Sequence, residues 1–501
     1  MDIPINVYIH STHVDIKADR NGYIGVKGGH IKYAIRKFTI DKYDPDPNIK
    51  KPKIVSITRY YHYDDKEQRY RFPRYALPYL EECFKYMKNG NIPVYLNKIY
   101  VDSVLPRKVD FHMKNWVKDR PGQAEAIEYL SLDKPMLACE AGTGFGKTTV
   151  SIKTAILKKV PFLVICDGLT DQWVDNILEK TDMDGTDVTI VKEGKSLVKI
   201  FKYFNYGVIP SAIICSIQTV RNYIHHHIYP YNELPTWEEF LEKLGIGLII
   251  KDEYHLNFKS YILVDLFSNV RNNIYLSATP RRNDKDEAKL FNKIYPPEIL
   301  SDRTNSRKHV NIDLCGYEIL IDGKEDRFKT KYGYSQGRYE TYLLNNLGKL
   351  DEYFRTIENV VGPEFFNKYI PGEAKCVIFC YLKSMCRCLM SYLQTKYSNY
   401  DIKTKLSEDP KSNINADVII STIGGLGTGH DISKLVTIVN TVSTRARTKL
   451  EQVPGRLRPV PGYQCKYVDI YNRNMYLHRN HLYIKRSIYR KLANKFREMY
   501  I

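Results

Sequence analysis

The nine residues Ala141 to Thr149, AGTGFGKTT, bring three glycines, three threonines and a lysine together. Gly142, Gly144 and Gly146 free the backbone to curl so that successive N–H groups face one centre. A helix opening near Lys147 adds its positive end, so the loop suits phosphate. Lys147 would reach the outer phosphates of a triphosphate and Thr148 would ligate Mg²⁺, with Thr143 and Thr149 in the same loop. Ala141 stands where the strict phosphate-loop pattern has its first glycine. About a hundred residues on, LIIKDEYH runs from Leu248 to His255. Its apolar run sets Asp252 and Glu253 at the C-terminal end of a buried strand, where ligands bind in open α/β sheets. Asp252 is then the carboxylate for the metal and Glu253 the one that activates a water. Alone, such an acidic pair is commonly a solvated turn.

Further motifs follow in order. Ser277-Ala278-Thr279-Pro280 comes after the apolar stretch Ile274 to Leu276. STIGGLGTGHDIS, Ser421 to Ser433, comes after Val418 to Ile420, and Gln452 to Arg458 reads QVPGRLR. Each is weakly specified, and their shared order is what makes them informative.

In this order the chain resembles the superfamily 2 helicases, over about residues 112 to 470. Gln123, in RPGQAEAI, resembles the glutamine that reads adenine. GTGFGKT and DEYH resemble motifs I and II. SATP resembles motif III, which couples hydrolysis to domain movement, and GLGTGHDI resembles motif V. The arginines of QVPGRLR resemble those of motif VI, which act on the γ-phosphate. Arg458 stands one position before the family's second arginine, with Pro459 in that place, so Arg456 and Arg458 are both candidates. Asp167-Gly168 stands where motif Ia has Pro-Thr.

The resemblance implies two tandem RecA-like lobes, ATP and Mg²⁺ as cofactors, and a nucleic-acid strand as partner. His255, Ser277 and Thr279 would link loss of the γ-phosphate to movement. Gln218 and Thr219 in the first lobe, and Thr422, Gly424 and Gly427 in the second, would grip the strand through its phosphates, which carry no sequence information. Among the subfamilies, the single motor with a small N-terminal extension is most like the phage UvsW-like and XPB-like DNA helicases. The expected activity is therefore ATP-dependent remodelling of branched DNA, as in branch migration, recombination and repair. The alternatives are an RNA-directed ATPase or helicase, a translocase subunit, and a nucleic-acid-binding scaffold that does not hydrolyse ATP.

Composition agrees. The formal net charge of +19 and pI near 9.2 favour an anionic polymer. Ten cysteines lie scattered, several in apolar strands, as in an intracellular protein. Cys376, Cys380, Cys386 and Cys388 crowd together at a spacing that matches no common zinc site. The first residues lack the basic start and apolar core expected of a signal peptide, and no apolar run in the sequence is long enough to span a bilayer. A monomeric, cytoplasmic motor is expected, in the host cytoplasm if the abundant Tyr, Lys, Ile and Asn mean a phage.

The fold class expected is α/β: two RecA-like parallel-sheet lobes with a small α+β N-terminal domain. Short apolar strands alternating with helical stretches carry that reading. The expected divisions are 1–110, an accessory and DNA-binding domain; 111–300 and 301–470, the lobes; and 471–501, a basic helical tail. In the first, Arg59, Arg69, Arg71 and Arg74 interleave with Tyr60, Tyr61, Tyr63, Tyr70 and Phe72. Such a strand pair reads either as a stacking and phosphate-binding surface or as cross-strand core packing. In the tail, Leu482, Tyr483, Tyr489, Leu492 and Phe496 fall at helical intervals.

Overall fold

The computed structural model describes residues 3–17, 29–43, 54–89, 94–142, 144–168, 170–193, 196–197, 199–200, 207, 209–228, 235–278, 285–301, 309–330, 333–426 and 432–501. Thr143, Thr279 and Gly427 lie outside them. The chain forms two compact units, Met1–Asn305 and Ser306–Ile501.

The first unit begins with strands β1 (Ile3–Ile9), β2 (His13–Lys17), β3 (Thr39–Tyr43), β4 (Ile54–Arg59), β5 (His62–Asp64), β6 (Arg69–Pro73) and β7 (Val94–Tyr100). Five of them form a mixed sheet in the order β5-β6-β2-β1-β7, and β3 pairs with β4 apart from it. The aromatic strands joined by an acidic turn are β5 and β6, with Tyr63 opposite Tyr70. Their arginines face inward. Arg71 is 4% exposed, bonds Glu238 at 2.8 Å and the Leu266 carbonyl at 2.9 Å, and lies over the Phe267 ring. Arg69 pairs with Asp15, and Arg74 donates to the His10 carbonyl. Tyr60, Tyr70 and Phe72 are buried in the apolar core. Core packing accounts for Arg69, Arg71, Tyr60, Tyr70 and Phe72, because Asp15 and Glu238 meet the charge inside the fold, while Arg59 is exposed.

A parallel sheet follows: β8 (Met136–Glu140), β9 (Phe162–Cys166), β10 (Val188–Val191), β11 (Ala212–Ser216), β12 (Leu248–Asp252), β13 (Asn272–Ser277) and β14 (Leu300–Ser301). Its order is β10-β11-β9-β12-β13-β8-β14. The apolar runs are continuous because both faces are covered, with Phe162 to Cys166 wholly buried. β13 lies between β12 and β8, with Leu276 beside both Asp252 and Cys139, so the three strands end level.

The second unit repeats the plan with β15 (Val310–Tyr317), a short pair β16 (Lys329–Thr330) and β17 (Gly333–Tyr334), then β18 (Lys375–Cys380), β19 (Ile402–Thr404), β20 (Val418–Thr422), β21 (Leu435–Asn440), β22 (Cys465–Asn472) and β23 (Lys495–Tyr500). Its second parallel sheet runs β19-β20-β18-β21-β22-β15-β23. Two seven-stranded parallel sheets and a small mixed N-terminal sheet make the α/β, tandem-lobe architecture that was expected.

The C-terminal tail departs from the expected helix. Leu482–Leu492 is helical, but Lys495–Tyr500 is a strand that pairs in parallel with β15 as the sheet's edge. Tyr483 is 82% exposed and is not part of the apolar stripe. Open backbone donors and acceptors on β15 capture the last residues, and this outweighs their helical spacing. Among the described residues no helix is long and apolar enough to cross a membrane.

Candidate nucleotide and coupling site

The phosphate loop leaves β8 and enters the helix Lys147–Lys158. Gly144 and Gly146 take φ of +94° and +88°, a region that side chains resist. A Cβ on Gly146 would stand 2.4 Å from Gln123 Nε2. Gly146 caps the helix without a side-chain hydrogen bond, and no acidic residue occupies the first turn. The helix therefore presents its positive end to an anion.

Gln123 itself is buried. Its Nε2 donates to the Phe145 carbonyl at 2.5 Å and its Oε1 accepts from Arg120 N at 2.9 Å. Arg120 Nη1 donates to the Gly144 carbonyl at 3.2 Å. In this state the side chain expected to read adenine instead braces the loop. Thr149 Oγ1 accepts from Lys180 Nζ at 3.0 Å, which ties the helix to Thr170–Lys180.

The acidic pair sits where β12 ends. Asp252 Oδ2 accepts from Trp173 Nε1 at 3.0 Å, and its carbonyl accepts from Tyr261 Oη at 2.7 Å. Burial, then the neighbouring Glu253 charge, push the Asp252 carboxyl above the usual carboxylate range, against the pull of Trp173 and Lys147. Glu253 has a φ of +46°, uncommon for a side chain of this size and found at functional sites. The sharp turn sends its carboxylate between two motifs. Glu253 Oε1 lies 3.8 Å from Lys147 Nζ, and Oε2 lies 3.3 Å from His255 Nδ1 and accepts weakly from Ala278 N at 3.4 Å. His255 Nδ1 lies 2.8 Å from Ser277 Oγ on β13. Lys147 Nζ also donates to the Ala141 carbonyl at 3.0 Å.

Lys147, Glu253, His255 and Ser277 thus form one connected chain of side chains across three strand ends. The uncapped helix, the left-handed glycines, the lysine and the desolvated Asp252 together fit a triphosphate and a hard divalent cation. Thr148 stands in the first turn of the helix beside them.

The proposed gripping residues differ in availability. Gln218 is exposed. Thr219 is buried, with Oγ1 2.8 Å from Ser216 Oγ and donating to the Lys192 carbonyl at 3.0 Å. In the second unit, Thr422 ends β20 and its Oγ1 accepts from Gly425 N at 2.9 Å. Gly424 is exposed at the turn. A Cβ on Gly425 would stand 2.7 Å from Thr422 Oγ1, which keeps this turn tight.

Arg456 closes the short turn Pro454–Arg456 and lies over the Phe379 ring. Burial, then the nearby Arg458 charge, lower its pKa to about 10. Arg458 Nη1 donates to the Gly455 carbonyl at 3.3 Å. A desolvated guanidinium beside a like charge is stabilised by an arriving anion.

No protein-family model matches the chain. It is similar to the DNA repair protein rhp54 of Schizosaccharomyces pombe, at 23% identity over 297 residues, covering 52% of this chain and 31% of that one. The chain thus spans about a third of that relative's length. Among solved structures it is similar to the Hef helicase domain of Pyrococcus furiosus, with TM-score 0.45 and 12% identity over 74% of this chain and 98% of that one. It is also similar to T4 UvsW, with TM-score 0.36 and 13% identity over 100% of this chain and 99% of that one.

Trp173, Tyr261, Arg120 and Lys180 hold the site without belonging to a nucleotide-binding pattern. Of these, Arg120 alone stands in a quoted motif, RPGQAEAI. The contact of Trp173 with Asp252 spans 79 positions of sequence and is set by the strand order. Of the crowded cysteines, Cys376, Cys380 and Cys386 are buried in the second unit and Cys388 is exposed.

Proposed function

We propose that the chain is a superfamily 2 motor, an ATP-dependent DNA helicase or translocase that remodels branched DNA. The observation that carries this reading is the continuous Lys147–Glu253–His255–Ser277 network, which joins the phosphate loop, the acidic pair and the coupling motif. Bound ATP and Mg²⁺ supply the phosphoanhydride and the charge that neutralises its oxygens. Lys147 and the loop N–H groups would hold the phosphates, and Thr148 and Asp252 would hold the metal. Glu253 orients a water and takes its proton, losing the cation–carboxylate contact with Lys147 as it does so. His255 passes that change to Ser277 at the end of β13. Arg456 and Arg458, on the second unit, are the arginines that the family resemblance assigns to charge on the γ-phosphate.

DNA as the partner is supported by the net charge and by the name of the Schizosaccharomyces pombe relative, a DNA repair protein. Gln218 and the Thr422–Gly424 turn are the gripping positions this reading favours, with Thr219 holding its loop rather than reaching out. The test is ATP hydrolysis by wild type and Glu253→Gln, with no polynucleotide, single-stranded DNA, branched DNA and RNA. Stimulation by branched DNA that the substitution abolishes is the expected result. Stimulation by RNA alone would assign RNA remodelling, and no stimulated turnover would assign a scaffold.

A further inference from the structure

The turn between β1 and β2 gathers three metal-ligating side chains that the nucleotide chemistry leaves unused. His10, His13 and Asp15 each bring one donor atom within 4.8 Å of the other two. His10 Nε2 lies 3.7 Å from Asp15 Oδ2, and His13 Nε2 lies 3.6 Å from Asp15 Oδ1. The two imidazole rings stack at 4.1 Å. His13 and Asp15 are 0% and 2% exposed. Among the described residues, His10 Nδ1 and Asp15 Oδ1 make no hydrogen bond, and the buried His13 ring meets only the Ser268 backbone. Burying polar atoms unpaired is costly, and an ion that the two stacked rings turn to meet would relieve that cost.

The backbone fixes the arrangement. Strand alternation puts His13 and Asp15 on one face, and His10 N donates to the His13 carbonyl at 2.9 Å. Asp15 divides its oxygens: Oδ2 faces Arg69 at 3.1 Å and Arg71 at 3.6 Å, while Oδ1 faces His13. The guanidinium groups orient the carboxylate as outer partners of metal ligands do. Their positive charge, with that of Arg74 near His10, opposes any cation and is offset only in part by Glu238, so the three ligand bonds must outweigh it. Two imidazoles and one carboxylate suit zinc-class ions, whereas magnesium and calcium need more oxygen ligands. His10, with 15% of its side chain exposed, gives the way in.

We infer that His10, His13 and Asp15 form a binding site for one zinc-class divalent ion, with water as the fourth ligand. The site would staple the N-terminal sheet to the motor lobe. Ser11 N donates to Asn269 Oδ1, and Thr12 Oγ1 donates to the carbonyls of Asp265 and Ser268. That segment joins the helix Phe258–Leu266, just after Asp252–His255, to β13 with Ser277. Metal binding therefore bears on the element between the acidic pair and the coupling serine.

The experiment titrates Co²⁺ into chelator-stripped full-length protein without nucleotide. The expected result is the intense visible absorption of four-coordinate Co²⁺, saturating at one ion per chain and displaced by Zn²⁺. His10→Gln, at the rim, and Asp15→Asn should weaken it by more than the roughly 100-fold that loss of an outer partner costs. Zn²⁺ should raise the unfolding midpoint of wild type and not of His10→Gln, whose metal-free midpoint should match that of metal-free wild type and so show that it folds. Absence of the four-coordinate spectrum at millimolar Co²⁺ would overturn the site. So would an unchanged spectrum in both variants, or a thiolate charge-transfer band that places the ion on cysteines.

Discussion

At the scale of single residues, the site works through two environments that a sequence does not display. Trp173 donates to Asp252 from another helix, and this bond favours the ionised carboxylate that burial and Glu253 disfavour. On the proposed reading Asp252 must be ionised to hold the metal, so kcat/KM for ATP should fall with acid at a pH above the usual carboxylate range. Removing the donor raises the carboxyl further. Trp173→Phe is expected to move that acid limb upward by about one unit, measured as kcat/KM against pH, which reports the free enzyme. A limb that stays put would mean that Trp173 serves packing alone. Gly146 is the second case, since it combines a φ of +88° with a Cβ position 2.4 Å from Gln123 Nε2. Gly146→Ala must distort the loop and displace Gln123, at a cost of about 1–3 kcal/mol. Nucleotide affinity by fluorescent-analogue titration should drop at least tenfold. Adding Gln123→Ala should restore only part of it, because the backbone strain remains.

At the scale of elements, legibility followed burial. β12, β13 and β20 were announced by the apolar runs Leu248 to Ile250, Ile274 to Leu276 and Val418 to Ile420, because a parallel strand covered on both faces has no polar side to interrupt its pattern. Their ends were missed by a residue or two, since hydrogen bonding carries each strand past its apolar stretch. The polar elements were not legible in the same way. Arg69 and Arg71 resemble a phosphate-binding row until Asp15 and Glu238, which lie far off in sequence, are seen against them. β23 was read as helix because its residues are mostly exposed and only tertiary pairing selects the extended form. It is held by that ladder and by Arg497, which bonds Asp313 at 2.7 Å alongside Lys466. Burial pushes the Asp313 carboxyl up, but these two bonds outweigh it and hold it below the ordinary range. A depressed carboxyl stabilises the fold above its unfolded pKa and loses that contribution as pH falls through the folded value. Arg497→Ala should therefore destabilise the protein by roughly 1 kcal/mol near neutrality, the guanidinium being largely solvent-screened. The difference from wild type should shrink in acid, as followed by denaturant unfolding across pH. A pH-independent difference would assign the loss to β-pairing instead of charge.

At the scale of the whole molecule, the excess of 76 basic over 57 acidic residues is what a sequence-blind motor needs. A few of the acids are spent internally, as in Lys485–Asp469 and Lys251–Asp265, where both partners are buried. Such pairs leave the net excess unchanged, so the +19 must be carried outward. If that charge meets a nucleic-acid backbone, binding releases condensed counterions, and affinity should fall by about a thousandfold or more between roughly 50 and 200 mM salt. Two duplexes of equal length and different sequence should give the same slope, because phosphates are alike along both. Nucleotide affinity should respond far less, since the phosphate loop acts through backbone N–H groups and one lysine at close range. Fluorescence anisotropy across a salt series measures all three. A shallow slope for both duplexes would mean that the surplus charge keeps the protein soluble and does not track a strand. The exposed Gln218 and the Thr422–Gly424 turn would then have no electrostatic path bringing a backbone to them, and the motor reading would have to rest on ATP hydrolysis alone.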